Sequence, residues 1–196
     1  MLKRLMDITI SVLLLILLWP LTLLIALWIR LDSPGPALFR PTRVGFNGKL
    51  FTMYKFRTMH VGGEKDWLKR FDPDKIEEFV FQTDEDPRLT KSGRFLRKTS
   101  LDELPNLLNV LGGSMSMVGP RPEEPEVVEH YTDDMRRRLT IKPGITGFAQ
   151  ISGRGELPLR EVIAKDLEYV DNHSFLKDIG ILLKTPFTVI SRRGAF

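Results

Sequence analysis

The longest apolar stretch of the chain lies near its N-terminus. From Ile8 to Ile29, 22 residues carry no charge, and as a straight helix they span roughly 33 Å, about the thickness of the hydrocarbon core of a bilayer. The stretch is longer than the apolar part of a signal peptide, and no small-residue cleavage pattern follows it before Arg30. We therefore expect a membrane segment that is retained.

Pro20 stands near the middle of this stretch, where it removes one backbone hydrogen bond and clashes with the carbonyl four residues earlier. Basic residues flank the stretch on both sides, at Lys3 and Arg4 before it and at Arg30 after it. Because positive charge prefers the cytoplasmic side, a re-entrant helix–break–helix hairpin over residues 1–31 places both flanks there, whereas a spanning helix places only one. The hairpin is favoured, and a kinked spanning helix stays open as the alternative.

Residues 32–196 alternate between short strand-like and helical patterns. Two apolar-aromatic runs, Thr42–Phe46 and Leu50–Phe56, meet at Asn47-Gly48, which predicts a β-hairpin. Helices or helical pieces are predicted over Glu64–Phe71, Lys75–Gln82, Ser92–Leu111, Glu123–Leu139, Leu159–Asp171 and Phe175–Ile190. The fold class is therefore α+β and mainly helical: a membrane hairpin followed by one small domain.

The last predicted helix, Phe175–Ile190, carries apolar residues at helical spacing between basic flanks. That pattern is typical of an amphipathic helix lying in the membrane interface, and a core-facing C-terminal helix fits it equally well. Both interpretations stay open.

Composition narrows the chemistry. The absence of cysteine excludes disulfides and thiolate catalysis, and three histidines scattered along the sequence argue against a multi-histidine zinc site. The net charge of +4 is uneven, because residues 1–60 carry eight Lys/Arg against two Asp, and the rest of the chain is net acidic. A basic region beside an apolar segment indicates an anionic membrane surface as the partner, and not nucleic acid.

The segment Ser100-Leu101-Asp102-Glu103 has the spacing of a capping box, which would place both acids in a first helical turn and keep them ionised. Adjacent carboxylates can serve magnesium-dependent phosphoryl chemistry, in which one oxygen attacks phosphorus while others hold the metal. The plain alternative is a surface helix cap.

Arginines near turns and helix ends give a second signal, because the planar guanidinium matches phosphate oxygens in a bidentate manner. They are Arg57, Arg94, Arg97, Arg121 and Arg154. Pro120 and Pro122 fix the backbone on either side of one of them. Glycine-rich dinucleotide-binding and P-loop patterns are absent from the sequence. The residues alone thus indicate a membrane-attached domain that handles phosphates.

Six motifs follow one another in the order found in one protein family. They are the basic and apolar start Lys3–Ile29, then Tyr54–Met59, Leu96–Pro105, Asn109–Ser116, Val118–Pro122, and Lys142–Gly147 running to Gln150 and Gly153-Arg154. With these motifs the chain resembles the bacterial sugar transferase family, in particular the small monotopic phosphoglycosyl transferases.

The resemblance implies transfer of a sugar 1-phosphate from a UDP-sugar to a polyprenyl (undecaprenyl) phosphate, with release of UMP, as the first membrane step of glycoconjugate assembly. It implies a ping-pong mechanism with Asp102 as nucleophile. Glu103 would join Asp102 at Mg²⁺, the expected cofactor, or assist the acceptor. The implied substrate-binding residues are Arg57, Arg97, Arg121, Pro122, Gln150 and Arg154.

The implied location is the bacterial inner membrane, with lipid as partner and the catalytic domain (residues 32–196) facing the cytoplasm, where UDP-sugars are found. Homo-oligomerisation stays open.

Two alternatives belong to other classes. A membrane-bound glycosyltransferase would release UDP and could hold metal at a D-x-D sequence such as Asp72-Pro73-Asp74 or Asp84-Glu85-Asp86. A non-catalytic membrane scaffold would tolerate Asp102→Asn.

Overall fold

The apolar stretch forms one long helix, α1 (Leu2–Asp32), in the computed structural model, which describes residues 1–63, 72–78, 86–153 and 157–191. The helix continues through Pro20, so the expected break does not appear as a gap in secondary structure. Proline removes one hydrogen bond there, and the Thr22 hydroxyl donates to the carbonyl of Trp19 at 2.7 Å. By length and composition, α1 could cross a membrane. Its course relative to a bilayer stays a prediction.

One side of α1 packs on the rest of the protein at both ends of the helix. Asp7 and Ser11 are buried in its first half, and Ile25 and Ile29 in its second. The opposite side exposes large apolar residues, namely Leu5, Leu13, Ile16, Leu17, Trp19, Leu23, Leu24, Leu27 and Leu31. An apolar surface therefore runs along the length of α1, and no other described part of the protein covers it.

Polar side chains in the first turns of α1 bind distant parts of the chain. Lys3 Nζ lies 2.6 Å from an oxygen of Asp178 and 3.0 Å from the carbonyl of Val118. The Asp7 carboxylate accepts hydrogen bonds from the Ser116 hydroxyl and from the backbone N–H of Met117. The guanidinium of Arg4 donates hydrogen bonds to two backbone carbonyls at the end of α3 (Asn106–Gly112). The basic N-terminal flank therefore contacts protein, whereas the sequence indicated lipid.

Within the described residues, six short strands form three two-stranded sheets. β2 (Thr42–Val44) and β3 (Leu50–Thr52) make the predicted antiparallel hairpin. Asn47 and Gly48 adopt positive φ in its turn, as Asn-Gly turns require. The second predicted run divides, because its end forms β4 (Lys55–Phe56) and pairs with β1 (Leu38–Phe39). β5 (Ser116–Val118) and β6 (Gly144–Thr146) are parallel.

Helices make up most of the remaining described structure. After α1 and α3 the set comprises α2 (Lys91–Thr99), α4 (Pro125–Val128), α5 (Asp133–Arg136), α6 (Phe148–Ser152), α7 (Leu159–Asn172) and α8 (Phe175–Ser191). Short 3₁₀ segments occur at Phe46–Gly48, Pro73–Glu78, Leu101–Glu103 and Arg137–Thr140. The predicted mainly helical α+β class is confirmed.

One predicted helix is wrong, one lies outside the described residues and one is only partly described. The segment Glu123–Leu139 is divided, because the Thr132 hydroxyl accepts the N–H of Met135 and begins a new helix, α5. The predicted helix Glu64–Phe71 lies outside the described residues, as does the end of Lys75–Gln82.

The last helix, α8, combines the two interpretations that the sequence left open. Asp178 and Ile181 are buried against the domain. Its other side exposes Leu176, Leu183, Phe187 and Ile190. An amphipathic helix with a buried face and an exposed apolar face fits the membrane interface, and it also helps to close the core.

Candidate active site

The two acidic residues lie in a tight turn between α2 and α3. Ser100 ends α2 in the left-handed conformation, with φ of 56°, and its backbone N–H donates to the carbonyl of Arg97 at 3.2 Å. The 3₁₀ turn Leu101–Glu103 follows directly. The predicted capping box is wrong: a capping serine needs extended backbone, and Ser100 makes no side-chain cap bond here. The Glu103 side chain therefore points elsewhere.

Glu103 is held by three side chains. Its Oε1 lies 2.7 Å from Lys55 Nζ and 3.0 Å from Arg121 Nη1, and its Oε2 accepts from the Asn106 side chain. Burial opposes ionisation, but the charges of Lys55 and Arg121 outweigh it and lower the pKa of Glu103 to about 2. Glu103 is therefore a fixed carboxylate that organises the cations around it.

Asp102, its neighbour, has a different environment. Among the described residues, no side chain or backbone N–H donates a hydrogen bond to its carboxylate. Burial and then the charge of Glu103 raise its pKa to about 6, against the pull of Lys55, Arg97 and Arg121. Adjacent carboxylates whose pKa values are pushed apart in this way are typical of sites that give them different roles.

The lysine and the arginine that hold Glu103 come from separate parts of the fold. Lys55 lies on β4, which a buried asparagine of α3 helps to place: Asn109 accepts the N–H of Tyr54 at 2.9 Å and donates to the carbonyl of Thr52 at 2.7 Å. Burial lowers the pKa of Lys55. Arg121 lies in the segment after β5.

The backbone before Arg121 is packed against the backbone of β6. A Cβ atom at Gly119 would stand 2.3 Å from the carbonyl oxygen of Lys142, and one at Gly144 would stand 2.1 Å from the nitrogen of Gly119. The N–H of Gly144 also donates to the carbonyl of Pro120 at 2.9 Å. Only glycine fits these two positions, and the close approach fixes where Arg121 begins.

Lys55, Asp102, Glu103 and Arg121 line one cavity of about 680 Å³, a size suited to a small-molecule substrate. The structure brings to it Arg57, Arg97, Asp102, Glu103, Arg121, Pro122 and Gln150. Arg94, which the sequence also singled out, is exposed on α2 and does not line the cavity. Arg154 lies outside the described residues. The individual binding roles stay predictions.

Arg57, Arg97 and Gln150 differ in their hydrogen-bond partners. The guanidinium of Arg57 donates to the carbonyls of Ser33, Pro34 and Pro36, so it holds the turn after α1. Arg97 donates to the Thr58 hydroxyl at 3.1 Å. Both amide atoms of Gln150 are buried without a hydrogen-bond partner among the described residues.

Sequence reasoning missed Lys55 as a site residue, although its motif was recognised. Its signal was its place in the motif Tyr54–Met59, from which only Arg57 was singled out. Arg43 and Glu124 also line the cavity as an ion pair, with 2.7 Å between nitrogen and oxygen. Nothing in their sequence context distinguished them from surface charges.

The described residues contain no group of three Asp, Glu or His side chains placed to share a metal ion. Asp102 nevertheless offers a carboxylate that no described residue hydrogen-bonds, and Mg²⁺ commonly takes only one or two protein carboxylates together with substrate phosphates. The donor set is therefore compatible with a magnesium ion that arrives with a phosphorylated substrate.

The sequence profile described as bacterial sugar transferase matches residues 1–192 of the chain. The chain belongs to the bacterial sugar transferase family. It is 44% identical over its whole length to the undecaprenyl-phosphate galactose phosphotransferase of Salmonella typhimurium, and 43% identical to the UDP-glucose:undecaprenyl-phosphate glucose-1-phosphate transferase of Escherichia coli. In both cases it covers 42% of the relative.

A relative of similar size is the uncharacterized sugar transferase EpsL of Bacillus subtilis. The two sequences are 42% identical over a region that covers 98% of the present chain and 89% of EpsL. The chain thus spans about two fifths of the length of the two enzymes with named reactions, and nearly all of EpsL.

Proposed function

We propose that this family member transfers a sugar 1-phosphate from a UDP-sugar to undecaprenyl phosphate and releases UMP. The observation that carries the proposal is the asymmetry of the adjacent carboxylates: Glu103 is bound by Lys55 and Arg121, while Asp102 faces the same cavity and accepts no hydrogen bond from any residue that the structure describes. A carboxylate that is ionised, poorly solvated and unengaged is suited to act as a nucleophile. The printed names of two relatives support the substrate classes.

The proposed reaction has two displacements. In the first, a carboxylate oxygen of Asp102 bonds to the β-phosphorus of the UDP-sugar, the bond from that phosphorus to the bridging oxygen breaks, and UMP leaves with the electron pair. In the second, a phosphate oxygen of the acceptor bonds to the same phosphorus, and the Asp102 carboxylate is released. Arg97 and Arg121 line the same cavity, and in the proposed reaction their guanidinium groups stabilise the charge on the phosphoryl oxygens.

Asp102, with Glu103 beside it, would hold Mg²⁺ together with the donor phosphates. The ion would neutralise charge on the diphosphate when bound. In the structure both oxygens of Glu103 already accept hydrogen bonds, so Asp102 is the more accessible ligand of the two.

The exposed apolar sides of α1 and α8 support attachment to the inner membrane. Both ends of α1 pack on the domain, which favours the re-entrant course over a span that leaves the domain. With residues 1–31 in lipid and residues 32–196 at the cytoplasmic surface, the cavity would meet the phosphate of a lipid-embedded acceptor and a cytoplasmic UDP-sugar.

The test is nucleotide release by purified protein in nanodiscs, with Mg²⁺, undecaprenyl phosphate and a panel that includes UDP-glucose and UDP-galactose. We expect UMP with at least one donor, and none from the isosteric variant Asp102→Asn. The matched control is Asp133→Asn, which changes an exposed carboxylate on α5 and should leave UMP release unchanged.

Release of UDP would identify a glycosyltransferase instead. Full activity of Asp102→Asn would exclude the covalent mechanism. Absence of any nucleotide across the panel, together with an intact fold, would favour the membrane scaffold.

A further inference from the structure

A buried charged cluster lies behind the cavity, and the proposed reaction does not use it. Its centre is Arg138, whose side chain is 1% exposed, as is that of its ion-pair partner Asp166 on α7. The guanidinium also donates to the Tyr131 hydroxyl at 2.5 Å and lies 3.5 Å from an oxygen of Glu123. Burying such a pair removes two charges from water, a cost that its attraction often only balances. A gain in stability therefore does not by itself explain why these charges are buried.

One further bond of Arg138 supplies an explanation. Its Nη2 donates to the backbone carbonyl of Arg121 at 2.9 Å. The carbonyls on either side in this segment are held by backbone groups: the N–H of Gly144 binds Pro120, and the N–H of Val44 binds Glu123. The carbonyl of Arg121 is thus the one of these three that a side chain holds.

We propose that Arg138, oriented by Asp166, is a positioning residue that fixes the backbone of Arg121 and thereby aims its guanidinium at Glu103. The planar guanidinium can serve the Arg121 carbonyl, the Tyr131 hydroxyl and Asp166 together, which a lysine ammonium cannot do in the same geometry. The expected effect of Arg138 on the reaction rate rests on the proposed function. Its expected effect on the backbone of Arg121 rests only on the hydrogen bond between them.

The kinetic test is a double-mutant cycle on UMP release. Arg138→Met combined with Asp166→Leu removes both charges, because removing one alone would leave the other buried and unpaired. We expect kcat to fall between about tenfold and 100-fold, since small displacements of a charged group at a reacting centre have effects of that size. In an Arg121→Ala background, the same pair of substitutions should change kcat by less than about threefold.

The structural test does not depend on activity. Hydrogen exchange of the amides of Gly119, Arg121 and Glu123 should accelerate in the Arg138/Asp166 variant, while the amides of α1 keep their wild-type rates. Tyr131→Phe is the matched control, because it removes one contact of Arg138 and leaves the bond to the Arg121 carbonyl. If the paired substitution does not fold, Arg138→Lys is measured in its place, with the same local change expected.

Additive effects on kcat, or exchange that rises equally throughout the protein, would overturn the proposal and leave Arg138 a structural residue. If wild-type protein releases no UMP, the proposed function fails. The exchange measurement then still decides whether Arg138 holds the Arg121 backbone.

Discussion

The same chemical change at two adjacent residues, carboxylate to amide, should shift stability in opposite directions. Asp102→Asn removes a charge that burial disfavours: its pKa of about 6 lies above the ordinary 3.8. Glu103→Gln removes a charge that Lys55 and Arg121 stabilise: its pKa of about 2 lies below the ordinary 4.5. Each pKa unit corresponds to about 1.4 kcal/mol between the protonation states.

The magnitudes follow from these shifts. With allowance for the half-buried position of Asp102, its amide variant should gain about 1–2 kcal/mol at neutral pH, whereas the Glu103 variant should lose about 2–3 kcal/mol. For a protein of this size each kcal/mol moves Tm by about 2–4 °C. We therefore expect Tm to rise by about 2–8 °C for Asp102→Asn and to fall by about 4–12 °C for Glu103→Gln.

The assay is thermal unfolding in detergent with a chelator, followed by circular dichroism at pH 8 and pH 5. The destabilising charge of Asp102 is fully present above pH 6 and absent below 3.8, so its variant should lose much of its advantage at pH 5. The stabilising charge of Glu103 is lost only as pH falls towards about 2, so the deficit of its variant should be similar at both pH values. A fall in Tm for both variants at pH 8 would refute this account of the site.

Further predictions concern the mechanism, the fold and the membrane. Without any acceptor, the wild type should exchange labelled UMP into UDP-sugar and Asp102→Asn should not; exchange that requires undecaprenyl phosphate would rule out the ping-pong order. Asn109→Leu leaves two backbone groups of the β3–β4 segment without partners and should cost about 2–4 kcal/mol, measured by chemical unfolding. Lys3→Met should lower Tm by removing the cation beside buried Asp178, and adding Asp178→Leu should recover part of the loss; no recovery would mean that the pair does not couple α1 to α8. Tags at both termini should be unreachable by impermeant reagents in intact cells, and labelling of one terminus would contradict the hairpin.

Local signals predicted the elements that depend on local sequence. The Asn47-Gly48 turn and helices α7 and α8 were predictable, because turn chemistry and apolar spacing act over a few residues. The helix across Glu123–Leu139 was not correctly predicted, since Thr132 is an ordinary residue until its hydroxyl caps a new helix.

The site was only partly predictable. Motifs pointed to Asp102 and Glu103, but the capping spacing suggested the wrong partner for Glu103, because Ser-x-x-Glu also occurs in a turn that ends one helix before another begins. What separates the two acids is contact with Lys55 and Arg121, which are 48 and 18 residues from Glu103. Such distant contacts depend on the whole fold and not on any local pattern.

The bonds that join the first turns of α1 to β5 and α8 set an order of events during synthesis. Asp178 is made 175 residues after Lys3, which at ribosomal rates of 5–20 residues per second is about 10–35 s later. During that interval a nascent apolar helix carries Lys3 and Asp7 without their final partners. The two are spaced i, i+4 on one helix face, so each can neutralise the other until β5 and α8 exist. Maturation then exchanges a short-range ion pair within one helix for the long-range ion pair of Lys3 with Asp178 and the hydrogen bonds of Asp7 with β5, and α8 completes the anchoring of α1.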